Sequence, residues 1–257
     1  MAFSDGDFVK VEYSAWRAAD NKLLDTTSET VARENGIYNS KNTYAPRLVV
    51  IGKDSTIKGV ENAIRSMNLN EEKKVEIEPK DAFGERDPQL VKIVALSDFK
   101  KQDIDPYPGM RLDIDGREAI VRSVNSGRVV VDENNPLAGE KLIYDIKVVQ
   151  KIDSDTEKVK ALAEKYGVNA KNVSVANGKV VLELEEKEDR SAEYELGKVA
   201  VPDEIFKYMT NINTVQIIDT YTRKQNKEQK GAEQQQQQQQ GSKESNNESK
   251  ADKTSKQ

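Results

Sequence analysis

Asp81-Ala82-Phe83-Gly84-Glu85-Arg86-Asp87 and Asn135-Pro136-Leu137-Ala138-Gly139-Glu140-Lys141-Leu142-Ile143-Tyr144-Asp145-Ile146-Lys147-Val148 read as two halves of one small domain, held apart by residues 85–134. The first half ends in a turn; the second begins in a turn and runs into a strand. The intervening residues have a strand pattern of their own. Leu90-Val91-Lys92-Ile93-Val94-Ala95-Leu96 opens it, and Tyr107-Pro108-Gly109-Met110 follows. Turns fall at Asp115-Gly116 and Ser126-Gly127, and Val129-Val130-Val131-Asp132 closes it. That pattern predicts a mostly β unit inserted in a loop of its host.

Upstream, Phe8, Val9, Val11, Tyr13, Ala15 and Trp16 give a strand, and Asp20-Asn21 turns it into Lys22-Leu23-Leu24-Asp25. Thr26 to Asn35 predicts a short helix with Thr26 or Thr27 as N-cap and Gly36 just beyond its end. Leu48 to Ile51 is a buried strand after Pro46. Ile57, Val60, Ile64 and Met67 mark one face of a helix over residues 55–68. Gly59 near its start costs about 1 kcal/mol against alanine, so something other than helix propensity favours it. Lys73 to Glu78 is a further strand, ended by Pro79.

Downstream of the Leu142–Val149 strand the character changes. Ser154-Asp155-Thr156-Glu157 is a capping box ahead of a helix carrying Val159, Leu162, Ala163 and Tyr166, stopped by Gly167. Val173 to Leu184 is a hairpin around Asn177-Gly178. Pro202 suits the first position of a short helix through Ile205, Phe206 and Met209, and Thr214 to Tyr221 forms a last strand. From Lys224 to Gln257 the apolar residues are Ala232 and Ala251, and seven consecutive glutamines intervene. Such a segment buries too little surface to offset chain entropy and is expected to be disordered. The organisation expected is therefore a discontinuous domain (1–84 plus 135–153), an insert (85–134), a C-terminal α+β domain (154–223) and a Gln-rich tail (224–257), α+β in class.

Composition limits the chemistry. The chain has 257 residues, no Cys and no His, which excludes disulfides, thiol nucleophiles, Cys/His zinc sites and imidazole catalysis. A catalyst must work with carboxylates, hydroxyls, lysine or a shaped pocket. The net charge is −5 with no strong block of either sign before residue 223, which argues against a nucleic-acid surface. The start lacks the basic-then-apolar pattern of a signal peptide, and no run approaches the ~18 apolar residues that span a bilayer, so a cytoplasmic protein with no membrane or nucleic-acid partner is expected.

In the host domain Tyr13, Leu24, Val49, Ile57, Val60, Phe83, Leu137 and Tyr144 lie near turns, and one carboxylate, Asp25, directly follows apolar residues. Pattern alone is consistent with a packed sheet core and Asp25 in a turn. It is equally consistent with a pocket.

Phe8-Val9-Lys10-Val11-Glu12-Tyr13, Leu24-Asp25, Ile51-Gly52-Lys53 with Thr56-Ile57-Lys58-Gly59-Val60-Glu61, Ala82-Phe83-Gly84 and Leu142-Ile143-Tyr144-Asp145-Ile146 occur in the order and spacing that resemble FKBP-type peptidyl-prolyl isomerases. The insert and Asn135-Pro136-Leu137-Ala138-Gly139 resemble the SlyD branch and its long archaeal relatives, in which a chaperone domain sits in the flap. The resemblance covers residues 6 to 152. It implies a half-barrel of antiparallel strands wrapped on one helix, with Gly59 allowing the helix start to approach the pocket or a neighbouring strand. It implies Tyr13, Asp25, Ile57, Phe83 and Tyr144 as catalytic residues, with Leu24, Val49, Thr56, Val60, Leu137 and Ala138 binding substrate. It also implies that the backbone N–H of Ile57 holds the peptide and that Asp25 orients Tyr13 or meets the carbonyl without transferring protons.

The reaction suits such a chain. Rotating an X–Pro amide costs ~18–20 kcal/mol because resonance is lost midway, and no covalent bond breaks. A pocket that favours the twisted amide over the planar one lowers that barrier. No metal or cofactor is called for. There are departures from the family's pattern. Phe83 stands where the family often has Tyr, removing a hydroxyl worth about 0.5–1.5 kcal/mol. Val60 stands where short forms have Trp, Arg47 where an aromatic residue is common, and the Thr26–Ala45 loop is long.

In the insert, Ile93, Val94, Phe99, Tyr107 and Met110 are the residues expected to hold extended apolar segments of unfolded chains, though most apolar residues of so small a unit must form its core. Arg111, Arg117, Arg122 and Arg128 read as a solvated face, and Glu183, Glu185, Glu186 and Glu188 as a charged strand end rather than a cation site. The expected partners are unfolded or partly folded proline-containing polypeptides. Long archaeal relatives also carry a C-terminal domain, which makes a homodimer, or extra client contact, through residues 154–223 a further expectation. The alternative is a holdase chaperone or binding module with little isomerase activity, which Phe83 and Arg47 suggest.

Overall fold

The structure is a computed structural model that describes residues 3–114, 116–187 and 190–222. The glutamine-rich segment, Asp115 and Glu188 lie outside the described residues. In chain order the elements are β1 (Phe8–Arg17), β2 (Leu23–Thr26), α1 (Glu29–Glu34), β3 (Arg47–Val50), α2 (Lys58–Arg65) and β4 (Glu72–Ile77). Then come β5 (Val91–Ala95), α3 (Leu96–Lys100), β6 (Arg111–Ile114), β7 (Arg117–Asn125), β8 (Arg128–Asp132) and β9 (Leu142–Ile152). Last are α4 (Asp155–Lys165), β10 (Ala170–Ala176), β11 (Lys179–Leu184), α5 (Ala192–Tyr208) and β12 (Thr214–Ile218).

Strands β2-β1-β9-β4 form one antiparallel sheet, with β3 pairing β1. Its strands come from both sides of the insert, β4 before it and β9 after it. Helix α2 packs on this sheet through Val60, Ala63 and Ile64 against Val9, Val11, Val49, Ile51, Ile146 and Val148. Gly59 now has a physical reason. A Cβ there would lie 2.3 Å from Cγ2 of Ile77 on β4, so only glycine lets the helix start meet that strand.

The insert is a second sheet, β5-β8-β7-β6, closed over Val121, Val129, Val131, Ala119 and Phe99. The C-terminal unit packs α4 and α5 on β10-β11-β12, in which β11 and β12 run parallel. Its core does not stop at its own residues. Phe8, Val50 and Ile152 of the first sheet belong to it, and the Phe8 and Tyr208 rings meet edge to face at 6.3 Å.

Several local expectations change. The cap of α1 is Ser28, whose hydroxyl accepts from Val31 N–H; Thr26 and Thr27 are buried and spend their hydroxyls on the Tyr13 backbone instead. Helix α2 is shorter than the apolar spacing predicts, because Ile57 is its N-cap rather than a helical residue. Ser154 precedes α4 but its side chain makes no cap hydrogen bond. Helix α5 starts ten residues before Pro202, and Pro202 lies inside it. Tyr194, Gly197, Val201, Ile205 and Tyr208 form its buried stripe, and Ser191 caps it by accepting from Tyr194 N–H at 3.2 Å. Burial of that stripe offsets the hydrogen bond the proline removes. Among the described residues no helix is long and apolar enough to cross a membrane.

Candidate active site

Strand pairing puts the two tyrosines side by side. Tyr13 lies opposite Ile146 and Ala15 opposite Tyr144, and side chains two apart share a face. The Tyr13 and Tyr144 rings lie 5.8 Å apart. On the other flank of β1 the register shifts between Ala15 and Trp16, leaving Leu24 as the extra residue of a bulge and Asp25 opposite Ala15. Asp25 thereby reaches Tyr13. The phenol donates to Asp25 Oδ2 at 2.5 Å, and the Thr26 N–H donates to Oδ1 at 2.9 Å.

Arg47, the first residue of β3, completes the group. Its Nη2 lies 3.4 Å from Asp25 Oδ2, and its guanidinium is 5.6 Å from the centre of the Tyr13 ring. Burial, then the bond to and charge of Asp25, hold the Tyr13 phenol well above the usual range against the opposing pull of Arg47. Burial first, and Asp25 second, push Tyr144 up to about 12. Both rings therefore keep their protons at neutral pH. Tyr13 spends its proton on Asp25. The Tyr144 hydroxyl makes no hydrogen bond among the described residues.

The floor beneath is apolar. Val49 and Val60 are 4% and 3% exposed, so they support the surface from below, while Ile57, Tyr13 and Tyr144 are half-buried and form its upper layer. Helix α2 points its start at this surface without a side-chain cap. Ser55, two residues ahead of the cap position, is engaged with Val50, accepting from its N–H at 2.8 Å and donating to its carbonyl at 2.9 Å. The Ile57 N–H has no partner among the described residues, and its carbonyl accepts from Glu61. A free backbone donor beside a dry floor is a ready contact for a peptide carbonyl.

The remaining expected site residues make no hydrogen bond or ring contact to this group among the described residues. Leu24, Thr56, Phe83 and Leu137 are half-buried, and Ala138 is buried in a turn where its N–H donates to the Asn135 carbonyl. No ring contact joins Phe83 to either tyrosine among the described residues. Arg47 is the member of this group that sequence reasoning undervalued. Its place at the start of a strand paired with β1 was the available signal.

The insert sorts its expected surface residues. Phe99 is 7% exposed and belongs to the core, which corrects its assignment as client surface: α3, absent from the sequence expectation, turns it inward. Val94 and Met110 pack against the same core. Ile93 and Tyr107 stand open at 67% and 62%. A groove of about 340 Å³ is lined by Glu12, Ser14, Glu72, Asp145 and Lys147, which alternate with residues of the site, and also by Tyr13, Ile146, Thr27 and Ser28.

Comparison with known proteins settles the family. Residues 92–137 match the family described as FKBP26, IF domain, and residues 155–222 match FKBP26_C-terminal. A short-type peptidyl-prolyl cis-trans isomerase from Methanocaldococcus jannaschii is 37% identical over 152 residues, covering 58% of this chain and 96% of the relative. The chain belongs to the FKBP-type peptidyl-prolyl cis-trans isomerases. The FKBP-type 16 kDa isomerase of Escherichia coli is 28% identical over 133 residues, 50% of this chain and 84% of that protein. The isomerase SlyD of Pasteurella multocida is 29% identical over 147 residues, 56% and 73% of the two chains. The FKBP-type chain described here is thus an isomerase with an insert-in-flap domain, mixed α+β in fold.

Proposed function

We propose that this isomerase acts on unfolded or partly folded proline-containing chains, using the Tyr13–Asp25–Tyr144 group as its active site. The observation that carries the reading is a donor-rich rim over a dry floor: a fixed Tyr13–Asp25 pair at 2.5 Å, a protonated Tyr144 and an uncapped α2 start above Val49 and Val60. The proline ring lies on the floor. The Ile57 N–H holds the peptide carbonyl beyond proline. The twisted amide loses less hydration than the planar one in this setting, so the site favours it. Tyr144 supplies the hydroxyl that Phe83 lacks. Asp25 orients Tyr13 and transfers no proton.

The insert, through Ile93 and Tyr107 and the rim around them, holds extended apolar chain and raises its local concentration at the site. The C-terminal domain offers a second surface, with Leu196, Val199 and Phe206 exposed on one face of α5, and a second copy of this chain is the partner proposed for it. A holdase with little turnover is the competing reading, supported by Phe83.

Deleting residues 85–134 and closing the loop separates these roles. Turnover of a short proline peptide is retained and acceleration of proline-limited refolding falls steeply; equal loss of both refutes the division of labour. Tyr144→Phe lowers turnover by up to about tenfold, the value of one hydrogen bond of about 0.5–1.5 kcal/mol. Suppressed aggregation with no acceleration of either substrate identifies the holdase instead.

A further inference from the structure

We propose that Arg47 makes this site selective for acidic side chains at the residue preceding proline. The inference rests on the site assigned above and adds its substrate preference. Asp25 is already well supplied. Its Oδ1 accepts from the Thr26 N–H, and its Oδ2 accepts from the Tyr13 phenol and faces one Arg47 nitrogen at 3.4 Å. The guanidinium has five N–H groups in a planar fork, and only one edge faces Asp25. Its side chain is 58% exposed, so its other donors stand in water at the rim.

The position of that rim fixes which substrate residue it reads. The carbonyl that turns during the reaction belongs to the residue before proline. Tyr13, Asp25 and Tyr144 are the polar groups at the turning bond, while the Ile57 N–H serves the other side. Arg47 lies against Tyr13 and Asp25, on β3 where it is paired with Val11. A carboxylate on the preceding residue therefore finds the fork's free edge. A lysine there meets like charge at short range. Lys58, the first residue of α2, is drawn to Asp81 at 3.4 Å.

The test is turnover of three tetrapeptides that differ only before proline, bearing Glu, Leu or Lys, measured by a protease-free exchange assay on the full chain. For each variant, rates are taken relative to its own Leu–Pro peptide, so any general loss of activity cancels. The wild type favours Glu–Pro over Lys–Pro by roughly two- to fivefold in kcat/KM, the range expected of one exposed ion pair. The difference lies in KM rather than kcat, because the contact is present throughout the turnover. It shrinks in 1 M salt, where the Debye length is about 3 Å. Arg47→Leu abolishes the ratio, Arg47→Lys retains part of it, and Arg47→Glu inverts it. A ratio that survives both Arg47→Leu and Arg47→Glu overturns the proposal while leaving the isomerase site intact. No turnover of any peptide by the wild type would instead refute the site itself.

Discussion

The two ends of the insert are fastened to each other by directional polar bonds, whereas the C-terminal domain shares a hydrophobic core with the first sheet. Where the chain leaves and re-enters, the Gly139 N–H donates to the Gly84 carbonyl at 2.8 Å. Asn134 then bridges the two strands, accepting from the Asp87 N–H at 2.8 Å and donating to the Asp87 carbonyl at 2.9 Å. Asp132, fully buried, accepts from Asn134 and pairs with Arg122 and Arg86. None of the core residues of the insert comes from the first sheet. At the other end, Phe8, Val50 and Ile152 insert into the C-terminal core beside Tyr208 and Leu162. One junction draws two chain segments together with few atoms; the other buries a surface with many. Apolar burial is large and non-directional, and hydrogen-bonded clamps are modest but geometrically exacting. The insert thus closes its own ends with polar bonds and keeps its own core, whereas the C-terminal domain shares one with the first sheet.

The largest expected effect breaks the glued side. Phe8→Ala removes the ring that meets Tyr208 at 6.3 Å and is expected to cost about 3–5 kcal/mol. Urea unfolding of the full chain checks it. Wild type loses the first sheet and the C-terminal domain in one transition; the variant separates them, with the C-terminal domain melting earlier. A single transition of unchanged midpoint would mean that the two cores are independent.

The clamped side is more delicate. Asp132→Ala leaves Arg86, Arg122 and Asn134 without their shared acceptor and is expected to cost about 1–3 kcal/mol, the lower part of the range for a buried pair because both arginines are partly exposed. Hydrogen exchange should show the loss confined to residues 85–134. Acid should act at the same place. Burial alone would raise the Asp132 pKa, but the donors of Asn134 and the two arginines outweigh it and hold it below the usual value. A depressed folded value stabilises the fold above the unfolded carboxylate pKa of ~3.9, and that contribution is lost as pH falls through the lower folded value. Below about pH 4 the insert's amides should therefore lose protection in the wild type, with Asp132→Ala showing no such step there. Equal acid sensitivity in both proteins would take Asp132 out of the clamp.

How much of this was legible beforehand follows from the range of each signal. The host strands were legible because period-two alternation is local, and Asn177-Gly178 because a tight hairpin needs both positive φ values it shows, 51° and 72°. Tyr13, Asp25 and Tyr144 were assembled only through the order of motifs, since they lie on three different strands and Tyr144 follows the insert. Three features escaped. Phe8 alternates like any strand residue, and nothing local says that its side chain serves another domain's core. Pro202 looked like a helix start because its missing donor is least harmful there, yet a buried stripe carries α5 through it. Thr26 and Thr27 had the right chemistry for a cap, but the β1 backbone claimed their hydroxyls first. In each case a tertiary partner outbid a local preference, which is also why Arg47 looked like a mere departure until Asp25 was beside it.

The smallest expected effect sharpens the contrast at the point where the chain enters the C-terminal domain. Ser154 sits between β9 and α4, as Asn134 sits between the insert and its host, and both are residues that commonly cap or bridge. Asn134 makes two side-chain bonds across its junction, both to the Asp87 backbone; the Ser154 side chain makes none to α4, and only its carbonyl accepts from the Lys158 N–H at 2.9 Å. Ser154→Ala should therefore cost less than about 0.5 kcal/mol, below the usual ~1 kcal/mol of a lost N-cap. Ser191→Ala in the same domain, where the cap bond to Tyr194 N–H is present, should cost the full amount. Thermal unfolding of the two variants side by side decides it. If Ser154→Ala matches Ser191→Ala, the C-terminal junction uses a polar fastening after all, and the opposition between a clamped insert and a glued C-terminal domain fails at its weakest link.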